Sequence, residues 1–394
     1  MTDRTIYLDH AATTPTDGEV LKEMLPYFSD VFGNASSPHR EGRRAVAAVD
    51  AAREKVARSL GADPSEIYFT SGGTESDNWA IMGVAAAYAE KGKHIVSSAV
   101  EHPAVLRALE RLERCGYEVT YLPVNREGFV SAEEAVRAIR DDTVLVTIMT
   151  ANNEVGSIQP IREIFRTAHE KGVVTHTDAV QAVGAVPLDV RSLGADLLSL
   201  SAHKFYGPKG VGALYLRKGV KIKGLIVGGE QESSLRAGTY NTPAIVGLGA
   251  AICRATASLN ENAAHLYDLK TRFVKGLEEI PFASVNGGAP SLPGTVNVTF
   301  AGVRNSELLF ALDREGIAAS SGSACSSGSI EPSHVLTAMG LAKEEVASSV
   351  RFSFGKENTV KDVSKTLATI KEVLARLLEG KDLFLQKKSN RYEG

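Results

Sequence analysis

Short β-branched and apolar runs alternate with longer stretches rich in Ala, Leu, Glu, Lys and Arg through the first two-thirds of the chain. The runs at Ile67–Thr70, His94–Ser98, Glu118–Leu122, Val144–Met149, Val173–Thr177, Asp196–Leu200 and Gly212–Leu216 read as strands. Trp79–Lys91, Pro103–Arg114, Ala132–Ile139 and Ile161–Lys171 read as helices between them. Strand–helix alternation predicts an α/β fold, a mostly parallel seven-stranded sheet covered on both faces. One long helix is expected from about Pro243 to Glu279. Beyond it, strands near Phe282–Asn286, Thr295–Phe300 and Ser349–Phe354, with helices near Asn305–Glu315 and Thr359–Leu378, outline a smaller α+β domain. The expected division is a large domain over 16–260 and a small one from 1–15 with 261–379. The tail 380–394 lacks a clear period, a pattern compatible with disorder.

Composition narrows the class. The 394 residues are 43% hydrophobic and 23% charged, which excludes a disordered or collagen-like chain. With 44 Lys+Arg against 47 Asp+Glu, a net charge of −3 gives no electrostatic reason for direct nucleic-acid or membrane-surface binding. Cys115, Cys253 and Cys325 are too few and too dispersed for a disulfide framework or a four-ligand zinc site. No metal is expected, and the cysteine usage suits a reducing compartment. The start has no apolar core of signal-peptide length, and the runs Ala80–Ala89 and Ala244–Cys253 fall short of the ~20 residues that span a bilayer. The expectation is a cytoplasmic protein that does not enter a membrane.

Candidate chemistry recurs at one kind of place. Ser71-Gly72-Gly73-Thr74, Glu101-His102, Asn152-Asn153-Glu154, Asp178-Ala179-Val180-Gln181 and Ser201-Ala202-His203-Lys204 each follow a strand of the large domain. Ligands of open α/β sheets bind outside the carboxyl ends of strands, so these clusters predict one shared site.

The Ser71–Thr74 turn offers glycines for close backbone approach and a helix N-terminus for an anion such as phosphate. It also reads as an ordinary capping box, with Thr74 at the N-cap and Asp77 three residues on; Glu75 and Asp77 would then repel a phosphate. No GxxxxGK[ST] or GxGxxG motif supports a nucleotide fold. Lys204, flanked by His203 and by Phe205-Tyr206, sits in a partly dry setting that suits a Schiff-base amine, although most lysines are solvated surface charges. Asp178 could pair with a protonated pyridine nitrogen, cap a helix, or join His176 at a metal. Phosphate cradle, Schiff-base lysine and pyridinium carboxylate together describe a site for pyridoxal 5'-phosphate, with His102 able to stack on the ring or carry a proton.

Cys325 lies in the Ser/Gly-rich stretch Ala319–Ser329, a setting that favours a reactive thiol over a buried one. Cys115 and Cys253 read as structural. Arg351, on the polar face of an alternating strand, is either a plain exposed charge or a bidentate partner for a substrate carboxylate.

The ordered set Tyr7-Leu8-Asp9-His10-Ala11-Ala12-Thr13-Thr14-Pro15, Phe69–Ser76, Glu101-His102, Ala151–Gly156, His176–Gln181, Ser201–Gly210, Arg236-Ala237-Gly238-Thr239, the Cys325 stretch and Arg351-Phe352-Ser353 resembles the cysteine desulfurases of the NifS/IscS kind over nearly the whole chain. These are fold-type I, class-V-aminotransferase-like pyridoxal-phosphate enzymes. The resemblance implies Lys204 as the Schiff-base lysine, Asp178 as pyridinium partner, Gln181 on the cofactor's phenolic oxygen and His102 on its ring. It implies Gly73, Thr74, Ser201 and His203 at the phosphate, completed by Thr239 of a second subunit, and hence a homodimer. Asn153 and Arg351 would take the carboxylate of L-cysteine. Cys325, on a mobile loop of the small domain, would accept the sulfur as a persulfide and release L-alanine. The persulfide would pass to an acceptor such as an iron–sulfur scaffold or a sulfurtransferase protein, for cluster assembly or tRNA thiolation. Rival expectations are a selenocysteine lyase or another β-lyase on the same fold, and a sulfur carrier without turnover. Gly33-Asn34-Ala35-Ser36-Ser37 departs from the family's usual Gly-Asn-Pro-Ser-Ser, and the tail does not resemble the scaffold-docking tail of housekeeping members.

Overall fold

The computed structural model describes residues 5–280, 282–322 and 332–389, with side chains to 379. Cys325 lies outside the described residues, as do residues 390–394 of the tail. In chain order the strands are β1 (Ile6–Tyr7), β2 (Ile67–Thr70), β3 (His94–Ser98), β4 (Glu118–Leu122), β5 (Thr143–Thr147), β6 (Val174–Asp178), β7 (Leu197–Ser201), β8 (Gly212–Leu216), β9 (Ala283–Asn286), β10 (Thr295–Phe300), β11 (Ile317–Ala318) and β12 (Ser349–Ser353).

Seven of them form the large sheet, in the order β2-β8-β7-β6-β5-β3-β4. Its inner strands are buried on both faces: every residue of β3, β5, β6, β7 and β8 is enclosed. That burial needs helices on each side. Only β8 runs against its neighbours β2 and β7, so the other six strands point the same way. The carboxyl ends of β2, β3, β5, β6 and β7 therefore share one rim. The strand order reverses between β3 and β5, the switch point where a crevice opens.

Most strands lie within one or two residues of their predicted bounds. The expected Pro243–Glu279 helix is instead two, Thr242–Ala257 and Leu259–Leu277, bent by 70° at Ser258. The break has a packing reason. The first of the pair lies against helix Arg40–Leu60 in the large core, so closely that a Cβ on Gly249 would sit 2.9 Å from Ala52 Cα. The second turns away to place Leu269, Phe273 and Leu277 in a separate core with Phe300 and Phe352. No single helix among the described residues is long and apolar enough to cross a membrane; only this bent pair passes by length and composition, and its apolar faces are buried in the two cores. The closing helix, Val360–Ser389, runs further than the fading sequence pattern suggests.

The N-terminal segment joins the cores. Ile6 and Leu8 are buried in the second core, β1 pairs with β11, and the next residues cross to the rim of the large sheet. A second tie holds the loop beyond β8. Glu232, in a left-handed run with Ser233 and Ser234, takes both guanidinium nitrogens of Arg53 (2.8 and 2.6 Å) and the backbone N–H of Phe69 (2.8 Å). Removing one partner of such a buried pair strands the other. Because Arg53 keeps some water contact, Glu232→Ala is expected to cost about 2–3 kcal/mol, read as a lower urea midpoint, with Glu232→Gln losing less.

Candidate active site

At the rim the chain builds a cavity of about 180 Å³. Lining it are Gly73, Thr74, His102, Asn153, Asp178, Gln181, Ser201, His203, Lys204 and Arg351, all nominated by the sequence. Thr239 is exposed and does not line it, and Cys325 lies outside the described residues.

The helix entering this cavity starts at Gly73, not after Thr74. Its N-cap is Gly72, which has no side-chain cap, so the expected capping box does not form. Gly72 has φ of +154°, a backbone few side chains adopt, and it leaves the first N–H groups uncapped. Glu75 turns away from the anion position: it accepts the Ser71 N–H (2.8 Å) and pairs with Arg236 (2.8 and 3.0 Å), which holds its carboxyl below the usual range despite burial. The expected repulsion from Glu75 is thereby neutralised. Asp77, cast by the sequence as a cap, is buried at the cavity instead.

Lys204 follows β7 in a short 3-10 turn. Its Nζ donates to the carbonyls of Ala11 (2.6 Å) and Ala12 (2.9 Å), both on the N-terminal segment. Two residues on, Tyr206 has φ of +65°, a strained conformation costing about 1–2 kcal/mol for a residue with a side chain. It is held on three sides. The Thr14 hydroxyl accepts its N–H (2.9 Å), the Asp17 N–H donates to its carbonyl (3.0 Å), and the Lys356 N–H donates to its hydroxyl (2.8 Å). These contacts hold the turn that follows the lysine, while the Ala11 and Ala12 carbonyls set where Nζ points.

Asp178 ends β6 and accepts the Val180 N–H on Oδ1 (2.8 Å). Burial pushes its carboxyl up, opposed by His102, the Val180 N–H and Lys204. His176 is not poised as a ligand: its nitrogens meet the hydroxyls of Thr147 (2.8 Å) and Ser199 (3.0 Å), and burial lowers it to about 3. His102 caps helix Pro103–Arg114 by accepting the Ala104 N–H on Nδ1 (3.1 Å), so its neutral ring carries the proton on Nε2. Burial pushes His203 down to about 4, helped by Lys204 and Lys209; its Nδ1 meets the Thr13 hydroxyl (3.1 Å). Gln181 Nε2 donates to the Ala11 carbonyl (2.9 Å).

Arg351 is 2% exposed, which sets aside the reading of a plain surface charge. It spans three segments, donating to Asp9 Oδ1 (2.7 Å), the Asn153 carbonyl (2.9 Å) and the Gly322 carbonyl (3.4 Å). No sequence pattern marks Asp9 for this role. Glu154, from the nominated Asn152-Asn153-Glu154 cluster, is a buried acid that accepts the Ser333 hydroxyl (2.6 Å). Cys253 is half-buried, whereas Cys115 is exposed at a helix C-cap.

An anion-ready helix end, a lysine amine and a buried carboxylate around one cavity fit pyridoxal phosphate, and they define the site class as that of a fold-type I enzyme using this cofactor. Residues 6–366 match the family described as Aminotransferase class-V. The chain is 52% identical to "Cysteine desulfurase IscS" of Methanosarcina thermophila over 95% of its length and 93% of the relative. It is 47% identical to the Clostridium botulinum protein of that name, over 99% of this chain and all of the relative (100%). Among solved structures, a "NIFS-LIKE PROTEIN" superposes with a TM-score of 0.90 at 41% identity, covering 95% of this chain and 100% of that one. "SspA in complex with cysteine" superposes with a TM-score of 0.81 at 42% identity, covering 90% and 100%. The chain belongs to the pyridoxal-phosphate-dependent class-V aminotransferase family, on its cysteine desulfurase branch.

Beneath the site, Glu101 accepts the Ser98 hydroxyl (2.6 Å) and the Met149 N–H (2.9 Å) on Oε1, while Oε2 has no partner; burial pushes its carboxyl up to about 8. A folded-state value above the unfolded ~4.3 contributes stability that is complete at low pH and lost as pH rises through about 8. The melting temperature of the wild type is expected to fall more steeply than that of Glu101→Gln between about pH 5 and pH 9.

Proposed function

We propose that this protein removes sulfur from L-cysteine, releasing L-alanine and leaving a persulfide on Cys325 for transfer to an acceptor protein. The observation that carries the reading is the convergence on one cavity of Lys204 Nζ, the Asp178 carboxyl and the uncapped helix end at Gly72–Thr74. Pyridoxal phosphate would be held by Gly73, Thr74, Ser201 and His203 at its phosphate, by Gln181 at its phenolic oxygen and by Asp178 at its ring nitrogen. Once bound, it supplies an electron sink for bonds adjacent to an amine.

The chain's own groups divide the remaining work. The Ala11 and Ala12 carbonyls hold the Lys204 amine at the cavity wall. His102, neutral and with its proton on Nε2, would pack on the cofactor ring and be placed to exchange protons there. Arg351 offers a planar fork to the substrate carboxylate, with Asn153 beside it; Asp9 fills part of that fork until an acid arrives. Cys325 takes the sulfur: its thiolate attacks, an S–S bond forms, the carbon–sulfur bond breaks, and that electron pair stays with the carbon skeleton that leaves as alanine. A cysteine complex of the structural relative SspA supports the choice of substrate.

A homodimer belongs to the same reading. Thr239 is exposed and lies outside its own chain's cavity, consistent with service at a partner's phosphate site. Leu25, Phe28, Phe32 and Val227 expose apolar surface that a second copy would cover. The sulfur acceptor is taken to be an iron–sulfur scaffold or a sulfurtransferase protein, in line with the IscS name of the relatives.

Borohydride treatment of the cofactor-loaded enzyme should tag Lys204 and no other lysine, by peptide mass spectrometry. Cys325→Ser should keep the cofactor's visible band yet form no protein persulfide from cysteine, with alanine production down about a hundredfold or more, the scale of losing a nucleophile. A tag elsewhere, or undiminished alanine from Cys325→Ser, would sink this reading.

A further inference from the structure

Asp77 is the buried titratable group at this cavity for which the reaction above has no use. It is 1% exposed, and its Oδ1 has no hydrogen-bond partner although it is fully enclosed. One polar line of contacts reaches it. Thr147 Oγ1 meets His176 Nδ1 (2.8 Å), His176 Nε2 meets Ser199 Oγ (3.0 Å), and the Ser199 hydroxyl bonds to the Asp77 carboxyl. His176 is neutral, and with Asp77 ionised the line has one polarity: Thr147 donates to Nδ1, Nε2–H donates to Ser199, and Ser199 donates to Asp77.

That polarity brings no positive charge to Asp77. Its Oδ1 sits 3.7 Å from His176 Nε2, a proton already shared with Ser199. An ionised Asp77 would leave a charged oxygen enclosed and unpaired, which costs several kcal/mol. A protonated Asp77 has a hydroxyl to donate, and an acceptor is close: carboxyl oxygens of Asp77 and Asp178 and a ring nitrogen of His102 lie within 4.8 Å of one another. The two acids differ in support. Asp178 has the Val180 N–H, His102 and Lys204 on its side; Asp77 has one hydroxyl donor and faces Asp178 and Glu101. Both are pushed up by burial, and these neighbours decide that Asp77 takes the proton.

We infer that Asp77 is a positioning residue kept as the neutral acid, its hydroxyl donating to Asp178, so that the pair presents a single negative charge to the cofactor's ring nitrogen. The inference rests on the reading of Asp178 as that nitrogen's partner. A hydrogen bond from Asp77 lowers the basicity of Asp178, so the shared proton stays on the ring, where it makes the electron sink effective. Two ionised carboxylates there would draw the proton off the ring.

The test compares cofactor-loaded wild type with Asp77→Asn, Asp77→Ala and Asp178→Asn, using ring-¹⁵N-labelled pyridoxal phosphate. Asparagine keeps a donor for Asp178 and an acceptor for Ser199; alanine keeps neither. The infrared carbonyl stretch of a protonated carboxylic acid should be present in wild type near neutral pH and diminished in Asp77→Asn. The ¹⁵N shift should stay at the protonated value in Asp77→Asn and move toward neutral pyridine in Asp77→Ala. Alongside, kcat should drop about tenfold in Asp77→Ala, with KM little changed and the asparagine variant largely rescued. An unaltered carboxylic-acid band in Asp77→Asn overturns the inference, as does an asparagine variant whose ¹⁵N shift moves as far as the alanine one. Should Asp77→Ala not fold, the asparagine comparison decides alone. An Asp178→Asn ring nitrogen unchanged from wild type would instead overturn the reading of Asp178, while the infrared band still reports on Asp77.

Discussion

The shared direction of six strands in the large sheet is the constraint on which everything else depends. A parallel strand delivers whatever follows it to one rim, and the reversal of order between β3 and β5 opens that rim into a crevice. A helix N-terminus, His102, Asp178 and Lys204 thus meet in space while lying far apart in sequence. The complete burial of β3, β5, β6 and β7 keeps the rim rigid, which is what a cofactor held at several points requires.

Burial gives the site its electrical character. Asp77, Glu101 and Asp178 lie in a region with little water, alongside two imidazoles that burial keeps neutral. Three ionised carboxylates cannot share such a space, so the protein ranks them by the donors it offers each. The backbone N–H of Val180 and the nearby cation select Asp178. The same logic turns Glu75 from an obstacle to anion binding into half of an ion pair with Arg236.

Much of this was legible in the chain itself. The strands could be read because short β-branched and apolar runs alternate with helix-forming stretches, and the site because polar clusters followed them. Where the reading slipped, long-range contacts were the cause. Asp77 carries the spacing of a capping box, and only the packed sheet shows its carboxyl turned inward. The break at Ser258 leaves no composition signal, because each half is a good helix and the bend answers to two separate cores. Arg351 alternates like a surface residue, yet Asp9, more than three hundred positions away, draws it inside. Thr239, nominated with the others, is exposed and does not line the cavity that gathers them.

The N-terminal segment behaves as a splint. Ile6 and Leu8 are sunk in one core, and Ala11 and Ala12, a few residues on, clasp the lysine of the other. A backbone cut between Leu8 and Ala11 would spare both hydrophobic interiors and loosen the grip of those two carbonyls on that amine.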